Sequence, residues 1–86
     1  MKVNFQKLVI KDIEGNDVVT NLQPTIGNQL YMQGRNIEEC ELGRRIYHAD
    51  GAVELTEKEC EMVRFITQGY SFIAKQAIEK AMEKGE

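Results

Sequence analysis

Few side chains in this sequence could attack a substrate, hold a metal or move a proton. They are two thiols, Cys40 and Cys60, and one imidazole, His48. A cysteine nucleophile needs a base within hydrogen-bond reach. Cys40 and His48 stand eight residues apart in a segment of helical periodicity, which separates them by two turns, ~12 Å, along the axis. Cys60 would then have to supply the thiol, and its place on an apolar stripe marks it for burial as a small hydrophobe. His48 falls near a helix C-terminus, where the dipole favours an imidazolium, and a solvated histidine is the expected role. The cysteines form no C-x-x-C pair, and one histidine cannot complete the four ligands of a closed zinc site. These residues imply no catalytic set, no metal and no cofactor.

The remaining polar clusters read as surface. Glu38-Glu39-x-Glu41 and Glu57-x-Glu59-x-Glu61 are dense in carboxylate, but acid–base work needs a pocket that splits paired pKa values, and these residues alternate around exposed helix starts. The glycines make neither G-x-G-x-x-G nor a P-loop. Gly27 and Gly43 fall inside expected helices and mark close helix contacts. The basic concentration is Arg44-Arg45, with Arg35 upstream. A short helix precedes it, which allows a helix-turn-helix comparison and makes a nucleic-acid-binding regulator using Arg35, Arg44 and Arg45 the alternative function. Glu38, Glu39 and Glu41 on the same helix would repel phosphates. Tyr31, Tyr47 and Tyr70 have no adjacent basic residues set out as a stacking platform and suit a protein interface better.

Composition narrows the class further. Eighty-six residues, 42% of them hydrophobic, make one domain, 1–86, with one small core. A net charge of −3 argues against general affinity for nucleic acid or anionic membranes. Residues 1–36 carry four basic and three acidic side chains, and residues 37–86 carry seven and eleven. No basic segment followed by an apolar one opens the chain, so a secretory signal is not expected. The longest apolar run is three residues, far short of a membrane span. The expected compartment is the cytoplasm.

The elements that must position these residues follow from periodicity. Residues 3–10 read as a strand, with Leu8-Val9-Ile10 suggesting burial on both faces. Asp12 to Asp17 is turn chemistry, with Gly15 and Asn16 able to take positive φ. Val18-Val19-Thr20 returns, giving a hairpin over 3–21. Pro24 suits a helix start, and the spacing predicts a helix over 24–33. Asn36 caps a second helix, with Glu39 as its reciprocal partner, and Asp50-Gly51 stops it near 49. Val53-Glu54-Leu55 is either an extended connector or a short third strand, for which the hairpin is the available sheet. Thr56 and Glu59 form a capping box opening a helix that runs to about Gln68. Gly69 either breaks it, the favoured reading, with Ser71 capping the last helix, or kinks one continuous helix; Phe72, Ile73, Ala77, Ile78, Ala81 and Met82 give the last segment an apolar face. The fold class is α+β, β-β-α-α-β-α-α, with about four helices packed on one face of a small sheet.

The segments Leu8-Val9-x-Lys11-Asp12-Ile13-x-Gly15, Gly27-x-x-Leu30-Tyr31, Glu41-Leu42-x-Arg44-x-Ile46-Tyr47 and Val53-Glu54-Leu55-Thr56-x-x-Glu59 resemble the layout of small uncharacterised bacterial proteins. Some of these accompany prophages or other mobile elements, notably in Bacteroides-like genomes. The resemblance implies an accessory protein and carries over no site residue. The resulting expectation is a non-enzymatic protein-protein interaction protein that binds a copy of itself or another protein. Tyr70, Phe72, Ile73, Ala77 and Met82 are the candidate interface, and closure of the monomer core is the competing use of the same five residues. No membrane and no small-molecule substrate is expected.

Overall fold

The computed structural model describes residues 1–84. Strands β1 (Lys2–Val3), β2 (Leu8–Lys11) and β3 (Asp17–Thr20) precede helices α1 (Gln23–Gln33) and α2 (Ile37–His48). Strand β4 (Val53–Glu54) then leads into α3 (Glu57–Ile66) and α4 (Phe72–Lys84). The architecture is α+β in the expected order, with the first strand divided in two and the strands arranged as two small antiparallel sheets.

The division has a local cause. Asn4 Oδ1 accepts the Gln6 N–H at 2.9 Å, and the Lys7 N–H bonds back to the Asn4 carbonyl. This Asx turn competes with strand extension and resets the alternation. Val3 and Phe5 are buried, and then Leu8, not Lys7, enters the core. Val9 is half exposed, so Leu8-Val9-Ile10 is buried on one face only. The hairpin proper is β2–β3, in register Val9 with Val19 and Lys11 with Asp17. Its turn is held by Asp12 Oδ1, which accepts from Glu14 and Asn16 N–H, with Gly15 at φ +87°. Asn16 keeps a negative φ, because the side chain of Asp12 shapes the turn around a single left-handed residue. The third strand does form, but it pairs with β1, Val53 opposite Val3, and leaves the hairpin alone.

Helix starts follow the capping residues. Thr56 Oγ1 accepts the Glu59 N–H, and Glu59 Oε1 accepts the Thr56 N–H, closing the capping box. Asn36 Oδ1 accepts the Glu39 N–H, but Glu39 does not return the bond to Asn36. Its carboxylate reaches one residue further back, to the Arg35 N–H and guanidinium. α3 ends at Ile66, two residues before the expected end: Thr67 still bonds the Val63 carbonyl through both its N–H and its hydroxyl, but its backbone leaves helical geometry at φ −94°, ψ 9°. Ser71 caps α4 through the Ala74 N–H. One apolar cluster joins all elements except β3, centred on Phe5, Leu8, Ile26, Leu30, Leu42 and Ile46 with Val63, Ile78 and Met82.

Candidate functional site

α1 and α2 form a helical hairpin whose crossing rests on two buried glycines. A Cβ on Gly27 would lie 2.8 Å from the Tyr47 backbone nitrogen and 2.9 Å from the Gly43 carbonyl oxygen. A Cβ on Gly43 would lie 2.6 Å from both the Gly27 carbonyl oxygen and the Tyr31 nitrogen. These are main-chain atoms, so no side-chain rotation could relieve the clash. The sequence expectation that both glycines mark a close helix contact matches this crossing.

Each glycine is followed one helical turn later by a tyrosine: Gly27-x-x-x-Tyr31 and Gly43-x-x-x-Tyr47. Residues four apart share a helix face, so the two rings flank the crossing, each 48% exposed. The Arg44 guanidinium sits 5.8 Å from the centre of the Tyr31 ring, a cation–π distance. The His48 ring stands edge-on to Tyr47, with centroids 5.1 Å apart. With Asn28 these four side chains border a groove of about 370 Å³. Gln23, on the same helix hairpin, anchors the end of α2 by donating from Nε2 to the Tyr47 and Ala49 carbonyls at 3.1 and 2.7 Å, which fixes the backbone that carries Tyr47 and His48.

The groove offers two aromatic faces, an amide, an imidazole and a guanidinium. Among the described residues Arg44 makes no ion pair, so its planar fork is free to take a carboxylate from outside. Neither of the two concavities that His48 lines includes a cysteine. Cys60 is 2% exposed in the core, and burial pushes its thiol pKa up, away from the nucleophilic thiolate. Cys40 directs its thiol at the Tyr31 carbonyl. Among the described residues no three His, Cys, Asp or Glu side chains gather as a metal site.

The arginines of the sequence reading do not act together. Arg35 clamps the buried Glu39 carboxylate, with Nη2 to Oε2 at 2.6 Å, and stacks on Phe65 at 3.8 Å. Those hydrogen bonds hold the Glu39 carboxyl below the usual carboxylate range. Arg45 donates to the Glu54 carbonyl and pairs with Glu59 at 3.0 Å, and this holds Glu59 down in the same way. Arg44 alone of the three faces the groove. The five expected interface residues also divide. Ala77 and Met82 are buried in the core, 5% and 0% exposed, and leave the interface list because they are spent on the monomer. Tyr70 is half buried, its hydroxyl donating to Gln29 Oε1 at 2.7 Å. Phe72 and Ile73 remain outside, at 70% and 48% exposed.

The sequence reading missed the tyrosine–arginine grouping because it sought basic neighbours along the chain, whereas Arg44 meets Tyr31 across the helix crossing. The doubled Gly-x-x-x-Tyr spacing was the signal that could have found it. No protein-family model, no curated protein and no solved structure matches the chain.

Proposed function

We propose that this chain is a small non-enzymatic interaction protein that presents the α1–α2 groove to a protein partner. The observation that carries the reading is Arg44, free of any ion pair among the described residues, lining one groove with two half-exposed tyrosines at a close helix crossing. Tyrosine and arginine are the residue types that dominate binding energy at interfaces. Their chemistry defines the partner: a protein segment with an Asp or Glu beside an aromatic or apolar side chain. The exposed pair Phe72 and Ile73 offers a second surface, through which two copies would associate. A cytoplasmic setting suits two unpaired thiols, and no described helix is long and apolar enough to cross a membrane. An accessory role in a prophage or mobile element belongs to the same proposal and is supported by the resemblance of the Leu8, Gly27, Glu41 and Val53 segments. The alternative, a nucleic-acid regulator built on Arg35, Arg44 and Arg45, has less support, since Glu39 and Glu59 occupy two of the three guanidinium groups.

The test is a displayed-peptide selection on the immobilised chain, counter-selected against a folded Tyr31→Ala, Arg44→Ala variant. Enrichment of acidic peptides with a neighbouring aromatic or aliphatic residue is expected. No enrichment, or equal binding to the variant, would refute the groove reading. Sedimentation equilibrium from micromolar to millimolar concentration tests self-association, and a monomer throughout removes the role of Phe72 and Ile73.

A further inference from the structure

The chain is acidic, yet it folds four of its seven lysines around one groove. Lys7 and Lys11 come from the hairpin and Lys80 and Lys84 from α4, bordering a concavity of about 490 Å³. Ala77 and Ala81, one turn before each lysine pair member on α4, let that helix lie close along β2 and form the floor with Leu8. Among the described residues the only carboxylate in the lining is Asp17, and Lys11 neutralises it at 2.6 Å. Glu79 of α4 pairs with Arg64 at 2.6 Å, outside the lining. The groove therefore carries four positive charges against one negative, +3 net, while the rest of the chain carries −6 to give the total of −3.

We infer that this groove binds the phosphodiester backbone of duplex nucleic acid, without reading sequence. Lysine grips phosphate as a point charge, whereas planar carboxylates are better met by the arginine fork; the lining has lysines and no arginine. That choice separates a phosphate ligand here from the acidic peptide proposed for the α1–α2 groove. Lys7 closes the Asn4 turn just before β2 and Lys11 ends that strand, whose three steps span roughly 10 Å, and Lys80 and Lys84 are about 6 Å apart along a helix. A span of that length exceeds one phosphate and suits several in succession. No aromatic side chain lines the groove, so it has no platform for stacking unpaired bases, which favours duplex over single strand. Its charge is local, so the excess of acid elsewhere orients the molecule with this face toward the polyanion.

Fluorescence anisotropy with a labelled duplex of roughly 20 base pairs, two helical turns, tests the inference. Three neutralised phosphates give a slope of log K against log salt near −2.7, hence binding about 40-fold tighter at about 50 mM than at about 200 mM salt. A Lys80→Gln, Lys84→Gln variant with unchanged circular dichroism should lower the slope to about −1. Arg44→Ala should leave binding unchanged, which keeps this result distinguishable from the fate of the α1–α2 reading. Two duplexes of unrelated sequence should bind equally. The inference is overturned by no binding at low salt, by an unchanged slope in the double lysine variant, or by tighter binding of poly-glutamate than of the duplex.

Discussion

Replacing Gly43 by alanine gives a change whose sign can be worked from the structure. In an ordinary helix interior the substitution stabilises by about 1 kcal/mol, because alanine loses less backbone freedom. At Gly43 the new Cβ would lie 2.6 Å from two main-chain atoms of α1 and 2.8 Å from Leu30 Cβ. Carbon contacts are optimal near 3.5–4.0 Å, so the helices must separate by about 1 Å. Overpacking of this kind costs up to about 3 kcal/mol. A gap of that size also forfeits a quarter to a half of the dispersion attraction along the interface. Subtracting the propensity gain leaves a net loss of about 2 kcal/mol. For a domain of this length that lowers Tm by roughly 8–16 °C. Urea denaturation should show a lower midpoint with an unchanged slope, since the surface exposed on unfolding is the same. Gly69→Ala is the control: nothing lies within 4 Å of its Cβ position and its φ is ordinary, so it should be neutral or slightly stabilising. A Gly43→Ala protein as stable as the parent, or more so, would show that the helices do not meet as described. The same variant should weaken any peptide selected on the α1–α2 groove, although no groove side chain has changed, because the spacing of Tyr31 and Tyr47 depends on the crossing.

Three further outcomes follow from other parts of the molecule. Glu39→Gln should cost about 1 kcal/mol at neutral pH, the difference between charge-assisted and neutral hydrogen bonds to Arg35. The folded-state pKa of Glu39 is depressed, so its contribution is complete above the unfolded carboxyl value and is lost as pH falls through the folded one. Urea titrations of parent and variant should therefore converge in acid; a gap that stays constant with pH refutes the assignment. Met82→Ala should lose about 2–5 kcal/mol and Phe72→Ala no more than ~0.5; similar thermal shifts for the two would contradict the division of α4 into core and exposed faces. Cys40, partly accessible, should react with a thiol reagent in the native state well before Cys60, whose modification should track unfolding. Equal native rates would contradict the burial of Cys60.

How far the fold could be read beforehand depends on how local its determinants are. The Thr56–Glu59 box and the Asn36 cap were readable because three or four neighbouring residues decide them. The first strand was misread for the same reason applied in reverse. Residues 3–10 read as one strand whose alternation lapsed at Leu8-Val9-Ile10, whereas a single side chain, Asn4, bends the chain before that run and shifts the phase. The pairing of β4 with β1 lies further from reach. The two segments are fifty residues apart, each only two residues long, and nothing in either specifies its partner. Periodicity could also predict which positions of α4 are apolar, but not which apolar positions the core would take. Phe72 and Ile73 stay outside because they sit at the first turn, beyond the sheet and helices that Ala77, Ile78 and Met82 meet further along.

The two candidate surfaces differ in the same respect. The tyrosine–arginine groove left a trace in the sequence, because a close helix crossing demands glycine at both contact points and each tyrosine then sits one turn on. The lysine groove left none. Lys7 and Lys11 look like ordinary strand-end charges, and Lys80 and Lys84 like the solvated side of a helix; only docking of α4 along β2 brings them together. Net charge, the quantity that argued against nucleic acid, sums over the whole surface and is blind to that arrangement. A polyanion responds to the potential within about a Debye length, ~8–10 Å at ordinary salt, and at that range the four lysines count for more than the distant carboxylates. Reversing two of them separates placement from total charge: Lys80→Glu with Lys84→Glu changes the groove from +3 to −1 and should abolish duplex binding, while the charge-matched double reversal Lys58→Glu with Lys75→Glu, both outside the groove lining, should not. Equal loss from both changes would mean that total charge, not its placement, governs the encounter.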